Sequence, residues 1–376
     1  MHIAKFILDD WSKLEIPSSQ DRLRRLCSVS RQWYSAGIEY LYYRPLLHRG
    51  NSFTLFTNTV CPPIRSRQRK VDLGSLVHAL NLGPLVHHSS NSLTARLLGR
   101  VKKNLEIFVA PRVSFAVNSL APLAKCKELS YLCLSTVADP IPFSTLKKAI
   151  SGLDKLKSIE LPRSTCITDD GSTDDWPPNL EYLKIGGKFD IEKMSSFRWP
   201  PNLVGLTLCG CEDLDTFGLE GILINEQLRT TLEQLTIHSY NRGMFMEVSS
   251  DILSTLTALN SLRIPVDMLY TLLILPSSEF PSSPMSIREL ELLSPHDEDF
   301  SSALVFHPND LCKALKTDLS RVCYIGISPG CLDIIPEKWH DEIDKWVWKN
   351  IDKCSEEEFY ALSDVGVGVM DREPFC

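Results

Sequence analysis

Residues 203–223 read LVGLTLCGCEDLDTFGLEGIL. Leu203, Leu206 and Leu208 open the stretch in the spacing L-x-x-L-x-L. On a short strand the second and third of these face one side, while the first enters the same interior just before the strand begins. Outward from this block the phrase returns as Leu129, Leu132, Leu134; Leu156, Ile159, Leu161; Leu180, Leu183, Ile185; Leu232, Leu235, Ile237; Leu259, Leu262, Ile264; and Ile287, Leu290, Leu292. Successive starts differ by 27, 24, 23, 29, 27 and 28 residues. Fainter copies, Leu105, Phe108, Ala110 and Val322, Ile325, Ile327, flank the set. A recurring period of that size marks an array of stacked units.

One such unit cannot bury its apolar side alone. Stacked as parallel strands, the units share a continuous core in which each is covered by its neighbours. The sequence therefore predicts an α/β chain whose return segments are helical in places, as over 142–153 and 247–259. Two returns end in the same five residues, Trp176-Pro177-Pro178-Asn179-Leu180 and Trp199-Pro200-Pro201-Asn202-Leu203. Proline holds the residue before it away from helical backbone and donates no ladder hydrogen bond, so each pair is expected to deliver the chain extended into its strand.

The 203–223 block resembles the cysteine-containing leucine-rich repeat common in F-box proteins. The consensus places are held by Leu203, Leu206, Leu208, Cys211, Asp215, Gly218 and Leu219. Other units carry Val137, Lys188 and Tyr240 at the turn position of the cysteine, so a ladder of turn side chains is expected to be mostly missing and the solenoid irregular. Nearer the amino terminus, Leu23, Leu26, Val29 and Trp33 stand at helical spacings and predict one amphipathic helix, with Arg22, Arg24, Arg25 and Arg31 on its wet side. This segment resembles the second half of an F-box, in which Val29, Arg31, Trp33, Leu41 and Tyr42 match the pattern. The Leu-Pro-x-Glu opening of that motif is replaced by a stub, His2 to Asp10, and a stretch from Trp11 to Gln20.

The resemblance implies a leucine-rich-repeat solenoid, an irregular horseshoe with a parallel sheet on its concave face, behind a small helical head. Its parts are expected at residues 1–50 (head), 51–100 (linker and cap), 101–330 (array) and 331–376 (cap and tail). In the last part Trp339, Ile343, Trp346 and Ile351 form a partial helical stripe. The same resemblance implies that Leu23, Leu26, Val29 and Trp33 dock on the Skp adaptor of a cullin-type ubiquitin ligase, with the repeats holding an unknown target protein. The chain would then be a substrate receptor, cytoplasmic or nuclear, with no cofactor. A scaffold of the same fold outside any ligase, and an enzyme of unrecognised type, remain the alternatives.

The composition narrows these. A net charge of -7 over 376 residues argues against a general nucleic-acid binder, whose footprint is basic. Asp9 and Asp10 end a very short apolar run, so no signal peptide is expected, and no apolar stretch reaches the roughly 18 residues of a membrane span. The 12 cysteines are scattered, with Cys209 and Cys211 the one close pair, which favours a reduced compartment over a disulfide framework or a zinc site. No nucleophile elbow, phosphate loop or metalloprotease helix motif occurs in a fitting context. His87-His88, the basic run Arg65 to Lys70 and the acidic residues Asp169, Asp170, Asp174, Asp175 and Asp297 to Asp299 read as solvated surface.

Residues flanking the core leucines point the opposite way along each strand. The concave face is therefore expected to carry Tyr182, Lys184, Thr207, Gln234, Thr236, His238, Arg263, Glu289 and Glu291. That row would offer cations to an acidic target in the middle repeats and carboxylates to a basic one in the later repeats.

Overall fold

The computed structural model describes residues 16–47, 50–62, 72–85, 91–167, 175–189, 197–212, 214–238, 241, 252–269, 285–295, 307–355, 357–358 and 364–370. The basic run, the histidine pair, Asp169, Asp170, Asp174, the acidic stretch 297–299 and the amino-terminal stub lie outside them, as does the first part of the expected 247–259 helix. The chain divides into two compact units, Met1–Ser164 with Ser172–Leu180, and Thr165–Gly171 with Glu181–Cys376.

Among the described residues the first unit opens with three helices, α1 (Ile16–Val29), α2 (Arg31–Tyr43) and α3 (Gly50–Val60). Four short parallel strands follow, β1 (Ala79–Asn81), β2 (Ile107–Val109), β3 (Tyr131–Cys133) and β4 (Ser158–Glu160), with helices α4 (Asn91–Val101) and α5 (Phe143–Ile150) on the return paths. Their register puts Leu80, Phe108, Leu132 and Ile159 side by side, all fully buried. In α5, Phe143, Leu146 and Ile150 fall on one buried face at helical spacing, so the return segment closes over the strand residues.

In the second unit β5 (Cys166–Ile167) pairs with β6 (Tyr182–Phe189), which starts a parallel run through β7 (Gly205–Cys211), β8 (Gln234–Ile237), β9 (Ser261–Pro265), β10 (Glu289–Leu293), β11 (Tyr324–Ile327) and β12 (Gly366–Val369). Leu183, Leu206, Leu235, Leu262, Leu290, Ile325 and Val367 are in register. Every residue of the seven clear L-x-x-L-x-L phrases is at most 2% exposed.

One hydrogen-bond device recurs at the entry to the strands. The carbonyl just before a strand accepts two amides from the next repeat. His78 takes Glu106 N (2.8 Å) and Ile107 N (3.0 Å), and Glu106 takes Ser130 N (2.8 Å) and Tyr131 N (3.1 Å). Ser130 does the same for Lys157 and Ser158. In the second unit Glu181, Val204, Glu233, Asn260 and Arg288 repeat it. Both lone pairs of a carbonyl are used, which fixes the stagger of neighbouring repeats by backbone alone and leaves the side chains at these positions free to vary.

Several expectations need correction. The ladder starts at Ala79, inside the span read as linker and cap, because Val77, Leu80 and Leu82 form a further fully buried copy of the phrase. It continues to β12, inside the span read as cap and tail. The Trp-Pro-Pro-Asn-Leu copies do not run straight into their strands but turn first: Leu180 N reaches Pro177 O at 3.2 Å and Leu203 N reaches Pro200 O at 3.3 Å. Each tryptophan is buried against a phenylalanine, Trp176 on Phe143 and Trp199 on Phe197.

The turn ladder is also fuller than expected. Cys211 Sγ lies 3.8 Å from Ile185 O, Asn241 Nδ2 donates to Leu208 O at 3.0 Å, and Cys331 Sγ lies 2.9 Å from Leu293 O and 3.6 Å from Leu292 O. In the first two the acceptor ends the buried trio of the preceding strand, and in the third the nearest acceptor is one residue past it. Asn241 and Cys331 escaped the sequence pattern because each stands four residues after the last core position, where Cys211 stands three after it. Asp215 caps the helix Thr216–Leu223, its side chain accepting Gly218 N at 2.7 Å, as the repeat consensus implies.

The phase of the strands makes a direct prediction. Leu206, 1% exposed, and Thr207, half-buried on the other face, are adjacent. Leu206→Ala should cost about 2–5 kcal/mol through the cavity it leaves, whereas Thr207→Ala should stay within about 0.5 kcal/mol of the parent. Denaturant unfolding of both variants measures the difference, and equal losses would mean that the phase is wrong.

Candidate interaction surfaces

In the head, the expected single helix is two. Ser30, with extended backbone at φ -158, breaks it and caps α2 by accepting Trp33 N at 3.2 Å. The two helices pack closely where α2 carries Gly37, since a Cβ there would come within 2.7 Å of Cys27 Sγ. The break changes the meaning of the four named residues. Leu23 is fully buried within the chain, and Leu26 and Trp33 are half-buried, whereas Val29 is 68% exposed. Leu23 is thus a core residue and not a docking one, a correction that follows from α1 turning its apolar side onto α2. Two residues the spacing did not single out, Tyr34 and Leu55, are 45% and 69% exposed.

The head is joined to β1 through one histidine. His78 N donates to Tyr43 O at 3.0 Å, its ring stacks on Tyr43 with centroids 4.5 Å apart, and Nδ1 lies 2.8 Å from Glu106 Oε1. The same residue's carbonyl begins the strand ladder, so head and first strand share a fixed point.

On the exposed face of the second unit, register aligns two rows. Tyr182, Gly205, Gln234, Ser261, Glu289 and Tyr324 form the first; Lys184, Thr207, Thr236, Arg263, Glu291 and Gly326 form the second. Eight of the nine expected face residues therefore lie where alternation puts them. His238 does not. β8 ends at Ile237, and His238 is 3% exposed, its backbone N donating to Leu208 O and its carbonyl accepting Asn241 Nδ2 at 2.8 Å. The turn that Asn241 organises draws it inward.

The expected division of charge also changes. Arg263 and Glu291 are cross-strand neighbours, with Nη2 donating to Oε1 at 2.9 Å and Nε 2.7 Å from Oε2. They cancel locally, so the face does not pass from a cationic middle to an anionic end through them. Beyond this pair, Tyr324 lies over the glycine floor of Gly326 and Gly368. Burial, then the carboxylates of Glu291, Asp364 and Glu289, hold its hydroxyl above the ordinary tyrosine range.

No family model matches the chain. It is similar to "F-box protein YDR306C" of Saccharomyces cerevisiae, at 29% identity over 269 residues, 68% of this chain and 54% of that one. It is also similar to "Protein pof5" of Schizosaccharomyces pombe, at 29% identity over 198 residues, 53% of this chain and 54% of that one. The chain spans about half the length of the curated relatives it matches. A solved structure, "Crystal structure of TLR13-ssRNA13 complex", matches 69% of this chain and 48% of that one at 14% identity and a TM-score of 0.24, too distant to carry weight.

Among the described residues no helix is long and apolar enough to cross a membrane, and no group of three or more His, Cys, Asp or Glu could hold a metal ion. The chemistry these surfaces offer is contact: exposed apolar side chains on the head, and on the sheet a mixed polar face. The Arg263–Glu291 pair gives the test for that face. The pair is part-buried, with Glu291 only 14% exposed beside Arg263 at 41%. Arg263→Glu or Glu291→Arg alone, which sets like charges against each other there, should therefore lower the unfolding free energy by about 1–3 kcal/mol, more than the ~0.2–1 kcal/mol of a fully exposed pair. The double reversal keeps an opposite pair and should recover the loss; a double variant no better than the sum of the singles would show that the two do not interact in solution.

Proposed function

We propose that the chain is the substrate-recognition subunit of a Skp-cullin-F-box type ubiquitin ligase. The head would dock on a Skp adaptor, and through it on a cullin, while the exposed strand face of the second unit holds a target protein. The observation that carries this reading is the Val-x-Arg-x-Trp segment, folded as a capped helix break that leaves Val29 and Tyr34 in solvent. Exposed apolar side chains at a helix junction suit a protein contact, and a yeast relative bears an F-box name. On this reading the chain is non-catalytic, acts in the cytoplasm or nucleus, uses no cofactor, and meets neither nucleic acid nor membrane.

For the target, the reading names Tyr182, Lys184, Thr207, Gln234, Thr236, Arg263, Glu289 and Glu291 as the contact row, without His238. A second reading, a scaffold of the same fold outside any ligase, draws on the burial of Leu23, since part of the expected docking stripe is used up inside the head.

Co-purification of the chain with the host Skp adaptor separates the two. Val29→Asp with Tyr34→Asp should abolish adaptor capture with no change in the unfolding midpoint, because both residues are exposed. Capture that survives the double substitution, or no capture by the wild type, supports the scaffold.

A further inference from the structure

We propose that Cys323 and Cys354 form a redox-responsive dithiol that closes into a disulfide and ties the carboxy-terminal cap to the repeat array. Cys323 immediately precedes β11, and Cys354 follows the helix α6 (His340–Ile351). Their sulfur atoms are 3.4 Å apart across 31 residues of sequence, and both are free thiols. Closing from that separation to a bond of roughly 2 Å takes only a small approach of two side chains.

The two thiols differ in a way that orders the chemistry. Cys323 is fully buried, and burial first, then the neighbouring Cys354 sulfur, pushes its thiol up to about 12. Cys354 is half-buried, at the end of a helix and open to small molecules. The attacking group is therefore the thiolate of Cys354. Against a small-molecule disulfide such as oxidised glutathione, it forms a mixed disulfide at Cys354 and expels one thiolate, which takes up a proton. Cys323 then gives up its proton and attacks Cys354 Sγ, the mixed bond breaks, and the second thiol leaves. Two protein thiols lose two electrons, and one disulfide becomes two thiols.

The surroundings say what the bond would hold. The cap is tied down by Asn350, whose Nδ2 lies 3.2, 3.3 and 3.4 Å from the carbonyl oxygens of Leu315, Leu319 and Val322. Just beyond Cys354, Glu358 accepts Ser355 N at 2.9 Å and pairs with Arg288, whose carbonyl receives the amides of Cys323 and Tyr324. A disulfide here would join two segments already in contact, with no rearrangement of the last repeats.

The test incubates the full chain, natively folded, with a graded ratio of oxidised to reduced glutathione, followed by non-reducing peptide mapping and thermal unfolding. A Cys323–Cys354 cross-linked peptide is expected, with a higher unfolding midpoint once it forms. Cys354→Ser should remove the cross-link, leave Cys323 unmodified and hold the midpoint constant across the series. Cys323→Ser should stop the reaction at the mixed disulfide on Cys354. Wild-type protein that accumulates the mixed disulfide without the cross-link, or that keeps both thiols at the most oxidising ratio, overturns the proposal without recourse to any variant.

Discussion

Each repeat depends on the next for two things it cannot supply itself: a cover for its apolar trio and partners for its backbone. Both are met at the same place, the residue just before the strand, whose carbonyl takes two amides from the following repeat. That contact sets the stagger, and the stagger sets which side chains meet. With Leu183, Leu206, Leu235, Leu262 and Leu290 in one line, a slip of a single residue would put the whole line into water. The backbone device and the leucine line thus enforce one register between them.

Irregularity elsewhere follows from how little else is fixed. The starts of the seven clear copies lie 23 to 29 residues apart because any return path that brings the next leucine trio over the last is acceptable. Where a turn must descend into the core, a buried polar side chain reaches back to the carbonyl ending the preceding trio or to the one just past it. Cys211, Asn241 and Cys331 do this with different chemistry and spacing. The cost of leaving such a carbonyl unpaired in the interior is what selects a donor there. The identity of that donor is left open.

This explains what could be read in the sequence. The leucine phrase is written by burial, the strongest demand on these residues, so the strands and the orientation of eight of nine face residues followed from alternation alone. Features set by one local contact did not. The break at Ser30 competes with a helical pattern running through it, and only the cap to Trp33 decides in favour of two helices. His238 continues the alternation on paper, yet the strand stops one residue earlier because Asn241 takes over the turn. The Arg263–Glu291 pairing needs the register of two strands 28 residues apart, so spacing within one strand could not reveal that the two charges cancel. β12, with glycine at alternate places and no leucine trio before it, carries no copy of the phrase to read.

The central claim is that the strands of the second unit alternate between core and an open polar face in the register given. Cysteine substitution one position at a time along β8, at Gln234, Leu235, Thr236 and Ile237, with thiol labelling of the native chain read peptide by peptide, tests it most directly. The account predicts rapid labelling at 234 and 236 and protection at 235 and 237 until the chain unfolds. Labelling of 235 or 237 as fast as their neighbours in the folded chain would contradict it.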